Sequence, residues 1–426
     1  MSLIVQKFGG SSVADIERIQ NVARIVANTR AEGHQVVVVV SAMHGETDRL
    51  IKLAEGFSSA SPREYDALLA TGEQVSCALL SMALAAIGEP AQSMTGSQIR
   101  ILTNDTHKKA RIIDVETDML RELLAAGKTP VVAGFQGVSL SGDITTLGRG
   151  GSDLTAVALA AALEADECQI FTDVDGVYTS DPRIVPDARR IQRISFDEVM
   201  EMAGLGAKVL QNRCLEFAGK YQVPVRVLSS LTRGEGGTLI SYQKPDRERV
   251  LISGVAMDRK QAQISLQGIR QRPGLLSYIL SPISLANIDV DMIVQSGLNT
   301  AGCLDISFTI HRDDFKETLE IMNEITPELE FDRLVTQEQV AKLSLVGVGL
   351  RSHAGVASKM LSSLGREGIE VLLLSASEIK ISAMVPESQL DFGARILHDA
   401  FELNGQAGQQ DQNDCSASKS QINDLA

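Results

Sequence analysis

Five consecutive valines, Val36–Val40, constrain the fold of this chain more than any other feature. A β-branched run without polar alternation fits a strand buried on both faces. Such strands run parallel, and parallel neighbours need crossover connections, usually helices. The flanking sequence supplies them. Leu3–Gln6 is a short apolar strand running into Lys7-Phe8-Gly9-Gly10-Ser11-Ser12. Val13, Ile16, Ile19, Val22, Ile25 and Val26 then recur at helical spacing, and Gly33 stands where a helix stop belongs. Further on, the pattern predicts a helix over Ala67–Ile87, a strand at Thr129–Ala133, an alanine-rich helix over Leu154–Ala165 and a strand at Cys168–Thr172. A helical stretch at Glu198–Tyr221 and a strand at Val223–Leu228 follow. The fold class is therefore α/β, a mostly parallel sheet sandwiched by helices, over residues 1–245.

Near Gly234–Pro245 the texture changes to turns and a linker, and beyond it lies an internal repeat. Ile264–Gln295 and Leu345–Ala376 share one layout at a constant offset of 81 residues. Gly268 matches Gly349, Gly274 matches Gly355, and Ile288-Asp289-Val290 matches Ile369-Glu370-Val371. Each copy reads strand, glycine turn, helix, strand, with Cys303–Ile310 and Glu378–Met384 as further strands. Two ferredoxin-like βαββαβ modules fit this, at 246–338 and 339–403. Residues 404–426, rich in Gln, Asn, Asp and Ser, read as a disordered tail. A chain of 426 residues has room for these two or three units.

Composition excludes several functions. The formal charge of −14 argues against a nucleic-acid binder, which needs a basic footprint. Tryptophan is absent and aromatics are only 4%, which removes a base-stacking platform. Five cysteines without a C-x-x-C pair read as reduced thiols in a cytoplasmic protein, with no disulfide frame or zinc site. No apolar run reaches about 18 residues, so no membrane role is expected.

Chemistry gathers where the parallel strands end, the edge at which ligands bind in open α/β sheets. Lys7 at the tip of the first strand, with Gly9 and Gly10 behind it, makes an anion site at a helix start. Taken alone, a Gly-Gly turn is a common strand-to-helix connection, and no P-loop motif occurs in the chain. Thr145-Thr146-Leu147-Gly148-Arg149-Gly150-Gly151-Ser152-Asp153 is a second anion-receptive turn. Ser152 and Asp153 also suit N-capping, which leaves the three glycines unexplained. The third segment, Thr172-Asp173 through Tyr178, Asp181, Pro182 and Arg183, is a polar loop after a parallel strand. Ser41-Ala42-Met43, Thr71-Gly72-Glu73 (read as a helix start) and Gly134-Phe135-Gln136-Gly137 are smaller candidates.

In order and spacing these segments, with Gly206-Ala207-Lys208-Val209-Leu210, resemble the aspartate kinases of the amino acid kinase family, which carry paired C-terminal ACT regulatory domains. The likeness covers about residues 1–403. It implies transfer of the ATP γ-phosphoryl group to the β-carboxylate of L-aspartate, with ATP and Mg²⁺ required and the metal held mainly by ATP. It also implies roles. Lys7 stabilises the transferring group, Asp153 orients Lys7, and Phe8, Gly9, Gly10, Ser41 and Ser152 line the phosphate path. Thr172, Asp173, Tyr178, Asp181, Pro182, Arg183 and Lys208 surround the nucleotide. Arg149 holds the substrate α-carboxylate and Glu73 its ammonium, beside Thr47, Gly150, Gly151 and Ser152. Two other readings stay open: a kinase for another carboxylate such as glutamate or an N-acyl amino acid, and a non-catalytic amino-acid sensor. A homodimer or larger oligomer through the ACT modules is expected.

The regulatory half departs from the family pattern. Where these enzymes commonly read Asp-x-Pro-Gly, this chain has Gln271-Arg272-Pro273-Gly274, followed by Leu276 in place of a small residue. Glu370 replaces the usual asparagine before Val371, Ala376 a threonine, and Leu304 precedes Asp305 where threonine is usual. The candidate effector positions are Gln271, Gly274, Leu276, Gln295, Glu370 and Val371. A lost ionic partner for an effector's ammonium predicts that lysine and threonine inhibit weakly, not at all, or give way to another effector.

Overall fold

The computed structural model describes residues 2–57, 61–204, 210–231, 236–242, 251–350 and 355–404. Parts of the predicted turn and linker region near Gly234–Pro245 (residues 234–235 and 243–245), Lys208 and residues 405–426 lie outside the described residues. Residues up to Val177, Arg190–Gly204 and 210–242 form one compact unit; Tyr178–Arg189 and 251–404 form a second.

The first unit opens with β1 (Leu3–Phe8), α1 (Ile16–Ala31), β2 (Gln35–Val40), α2 (Glu46–Glu55) and α3 (Pro62–Ala86). Then come β3 (Ala91–Met94), β4 (Ile101–Thr103), β5 (Ile112–Val115), α4 (Asp118–Ala125), β6 (Thr129–Ala133), β7 (Gln136–Ser139) and β8 (Ile144–Thr146). It ends with α5 (Gly151–Leu163), β9 (Glu167–Thr172), β10 (Arg193–Ile194), α6 (Phe196–Gly204), α7 (Asn212–Tyr221), β11 (Val225–Ser229) and β12 (Thr238–Ile240). The main sheet has the order β10-β12-β11-β9-β1-β2-β6-β3, parallel except between β11 and β12. β4, β5, β7 and β8 make a small second sheet.

All five valines of β2 are fully buried, as an unalternated central strand requires. Their even-numbered members pack with Ile19, Val22 and Val26 of α1 and with Leu80 and Leu84 of α3. The predicted helix over 67–87 begins earlier, at Pro62, which suits a first-turn position. Thr71-Gly72-Glu73 is therefore mid-helix and not a helix start. Gly72 is needed there because a Cβ would stand 2.9 Å from the Ala42 Cβ. By length and hydropathy α3 could cross a membrane, yet Asp66 and Glu73 within it are buried and bonded to neighbouring elements, as in a core helix. Among the described residues, the predicted 198–221 helix is two helices, α6 and α7.

The second unit contains β13 (Leu251–Arg270), α8 (Leu275–Leu285), β14 (Val290–Gln295), β15 (Cys303–His311), α9 (Phe315–Ile325) and β16 (Arg333–Val348). It continues through α10 (Val356–Arg366), β17 (Leu373–Ala376), β18 (Lys380–Pro386) and α11 (Leu390–Ala400). One six-stranded sheet, β14-β15-β13-β16-β18-β17, serves both repeat copies. The second half of β13 pairs with β15 and with the start of β16, over a core with α8 and α9. Its first half, Leu251–Asp258, pairs with Lys342–Val348, over a separate core with α10 and α11. The expected boundary between 338 and 339 thus falls inside β16, and 251–258 hydrogen-bond with the second copy. Ile184, Val185 and Ala188, from the Tyr178–Arg189 segment, pack into that second core.

Candidate active site

β6, β2, β1 and β9 are parallel neighbours, so their C-terminal ends lie side by side: Phe8 faces both Val40 and Phe171, and Val40 faces Ala133. The loops leaving these ends extend the ladder. Ser41 N donates to Phe8 O at 3.0 Å, Gly9 N to Phe171 O at 3.2 Å and Gly134 N to Val40 O at 3.0 Å. Phe8 and Phe171 stack at 4.6 Å beneath them, giving the edge a rigid apolar floor. Parallel pairing therefore brings Lys7, Gly9, Gly10, Ser41, Gly134, Thr172 and Asp173 to one edge.

The N-terminus of α5 faces the same edge. Gly134 admits it: a Cβ there would lie 2.8 Å from the Ser152 Cβ. Lys7, only 8% exposed, points its Nζ at Asp153 Oδ1 at 2.5 Å. The turn before α5 holds Gly148 and Gly150 at φ of +79° and +72°, a region that favours glycine. At Gly150 any Cβ would also strike the Gln211 side chain, 2.2 Å away. Arg149, between these glycines, is exposed, and no ion pair ties it to another described residue.

Glu73 is 4% exposed, and its Oε1 accepts from Ala42 N at 3.1 Å. Its Oε2 is buried with no hydrogen-bond partner. Burial raises this carboxyl to about 7, against the pull of the Ala42 N–H and of Lys7. In its ionised form such a buried oxygen is a candidate acceptor for a cationic group. Thr47 is half-buried in the first turn of α2, which packs on α3 through Gly72. Ala42, within the Ser41-Ala42-Met43 candidate, contributes through its backbone N–H, a role that its side chain does not signal. Asp66, seven residues before Glu73 on the same face of α3, was missed; two acids recurring on the buried face of an apolar helix were the available signal.

The remaining nucleotide candidates divide. Thr172 and Asp173 end β9, joined by a 3.0 Å hydrogen bond. Tyr178, Asp181, Pro182 and Arg183 belong to the second unit. There Asp181 binds Arg183 through both carboxylate oxygens, at 3.0 and 2.7 Å, and the guanidinium holds its carboxyl below the usual range. The effector candidates lie on different elements. Gln271, Gly274 and Leu276 stand at the start of α8 and Gln295 ends β14. Glu370 lines a cavity of about 420 Å³ with Gln337–Val340, Leu372 and Pro386, to which the other five candidates do not contribute.

Comparison with known proteins agrees with this layout. The profile of the amino acid kinase family matches residues 2–229, and that of the ACT domain matches residues 343–401. An aspartokinase of Pseudomonas aeruginosa is 53% identical over 412 residues, covering 96% of this chain and 100% of that protein. Aspartokinase III of Escherichia coli, solved with aspartate and ADP, superposes with a TM-score of 0.76 at 28% identity, covering 93% of this chain and 99% of the other. The same enzyme solved with lysine and aspartate gives a TM-score of 0.75 at 29% identity and covers the same shares.

Proposed function

This chain belongs to the amino acid kinase family as an aspartokinase, and from that premise we propose how its residues phosphorylate aspartate. The reaction is the ATP-dependent phosphorylation of L-aspartate at its β-carboxylate, giving 4-phospho-L-aspartate and ADP. The nucleophile is already an anion, so no general base is required. The difficulty is to bring two anions together in a protein of net charge −14 and to neutralise the transferring group.

The pairing of Lys7 with Asp153 at the C-terminal edge of the sheet carries the reading. Lys7 stabilises the phosphoryl group in flight, and Asp153 keeps its ammonium aimed. Gly9 and Gly10 let phosphates approach the backbone: a Cβ on Gly10 would reach within 2.9 Å of Ala42 O, and one on Gly9 within 3.3 Å of the Lys7 Nζ. Ser41, Ser152 and the α5 N-terminus supply further donors. The free Oε2 of Glu73 receives the substrate ammonium and Arg149 its α-carboxylate, with Thr47, Gly150 and Gly151 beside them. Thr172 and Asp173 flank the nucleotide. Among the described residues no trio of metal-ligating side chains gathers. The donor set fits Mg²⁺ carried by the nucleotide, with Asp153 available to it; so bound, it would neutralise phosphate charge.

For the second unit we propose one ACT-type module of residues 259–340 inserted between strands of another built from 251–258 and 341–403. Its edge strands β14 and β17 are the surfaces through which copies of the chain would associate. The free thiols Cys77, Cys168, Cys214 and Cys303 support a reducing, cytoplasmic setting. ADP release measured with aspartate, glutamate and N-acetylglutamate tests the acceptor, and only aspartate is expected to turn over well. Lys7→Ala should lower turnover by at least ~10²-fold while circular dichroism reports an intact fold. Activity retained in that variant would overturn the role of Lys7.

A further inference from the structure

Outside the residues assigned so far, two opposite charges grip the same pair of backbone segments. Asp66 on α3 is 0% exposed. Its carboxylate accepts from Lys108 N at 3.0 and 3.1 Å, from Thr146 N at 3.0 Å and from Thr146 Oγ1 at 2.7 Å. His107 Nδ1 lies 2.9 Å from the same group. From the other side, Arg213 on α7 donates through Nη1 to Leu147 O and through Nη2 to Ala110 O, both at 2.7 Å.

The two segments are also fastened to each other. Ala110 N donates to Thr146 O at 2.9 Å, and a Cβ on Gly148 would meet Lys108 O at 3.1 Å. Residues 107–110 and 146–148 are thus one block, its N–H groups met by an anion and its carbonyls by a cation. Charge-assisted hydrogen bonds of this kind are roughly twice as strong as neutral ones. Arg213 accepts partial burial for these carbonyls, and burial draws its guanidinium below the ordinary value. The next residue after this block is Arg149, set between two glycines of positive φ. Such a link has little stiffness of its own, so the direction of Arg149 depends on what holds its neighbours. On the far side Gly151 is packed tightly on Phe135, where a Cβ would come within 2.8 Å of the ring. On the near side the clamp does the holding.

We propose that Asp66 and Arg213 are positioning residues for the phosphoryl transfer, fixing the loop that aims Arg149 at the substrate α-carboxylate. This rests on the assignment of Arg149 given above. A positioning role affects one substrate, whereas a merely structural one affects both or neither. The test is steady-state kinetics on the full chain for Asp66→Asn, Arg213→Lys, Arg213→Ala and Arg149→Ala, with melting temperatures measured alongside. Asp66→Asn keeps the shape but loses an acceptor, and Arg213→Lys cannot reach both carbonyls in a fixed plane. The KM for aspartate should rise on the order of tenfold or more in each clamp variant, while the KM for ATP changes less than about twofold. Added guanidinium should restore part of the aspartate affinity of Arg213→Ala. An unchanged aspartate KM in the clamp variants, a matching rise in both KM values, or no guanidinium rescue would overturn the clamp. If the aspartate KM rises in Arg149→Ala alone, the clamp fails and the assignment of Arg149 stands. If Arg149→Ala leaves it unchanged, the assignment itself fails. Should Asp66→Asn not fold, the Arg213 variants and the rescue decide the question.

Discussion

Glu73 shows at the scale of one residue what burial does to an acid at the sheet edge. Its carboxyl is raised to about 7 because burial disfavours the charged form more than Lys7 and the Ala42 N–H favour it. Below that value the group holds a proton and cannot pair with an ammonium. The kcat/KM for aspartate should therefore fall as pH drops through about 7, and Glu73→Gln should lose that limb of the profile together with most of the aspartate affinity. A limb that persists in the variant would assign the titration elsewhere. Linkage gives a second test. In the unfolded chain the carboxyl titrates near its ordinary 4.5. Between 4.5 and about 7 the unfolded state is ionised while the folded state keeps its proton, so the cost of burial grows with pH. It levels above 7 at about 3 kcal/mol, at about 1.4 kcal/mol per decade of proton affinity. Denaturant titrations should accordingly show Glu73→Gln gaining stability over the unaltered protein at pH 8 and much less at pH 5. A difference independent of pH would contradict the raised carboxyl.

At the scale of elements, the site depends on how closely α5 approaches the sheet edge. Gly134 follows β6, and an added methyl there would lie 2.8 Å from the Ser152 Cβ and 2.9 Å from its Oγ. Gly134→Ala should push the start of α5 outward, costing roughly 1–3 kcal/mol by overpacking and lengthening the contact of Asp153 with Lys7. Thermal melting and turnover should fall together, and an unaffected turnover would show that the α5 N-terminus is not part of the machinery. The sequence revealed this architecture where one element answers to one periodicity: the valines of β2, the apolar stripe of α1, and glycine turns at consecutive strand ends. It was silent where the signal is shared or short. β4, β7 and β8 have only three or four residues each and mix polar with apolar positions, so no alternation survives to be read. β13 is 20 residues long, but its pairing shifts register between Ile252 and Gly254 and again between Asp258 and Gln263. Each bulge flips which face is buried, and the pattern reads as a short strand with a polar approach. Among the candidate site residues, Lys7, Glu73, Arg149 and Asp153 stood inside motifs, whereas Arg213 bonds only backbone carbonyls and Asp66 left only its recurrence with Glu73 on one helix face.

On the scale of the whole molecule, an effector bound to the ACT modules changes turnover only by as much as it prefers one state of the chain to another. That preference has to begin with binding. The turn before α8 presents Gln271 and Arg272, and the Arg272 guanidinium lies over the Tyr278 ring at 5.0 Å. The Tyr278 hydroxyl in turn donates to Glu328 at 2.6 Å. The turn itself carries a neutral amide and a cation where the family pattern has an acid, and the nearby acids Glu328 and Glu330 are already bonded to Tyr278 and Arg270. Glu370 lines a cavity with Glu338, to which Gln271 and Gly274 do not contribute. Losing one charged partner costs a few kcal/mol of binding, enough to weaken effector binding on the order of 100-fold or more. Lysine and threonine, singly or together at about 10 mM, should thus change the aspartate KM by less than about twofold in the full chain. Gln271→Asp should restore an anion beside the Gly274 turn and increase the response to whichever of the two binds. Strong inhibition of the unaltered enzyme would mean that the chain builds its ammonium site from Glu370 after all. In that case Glu370→Gln, and not Gln271→Asp, is the substitution that should change the response.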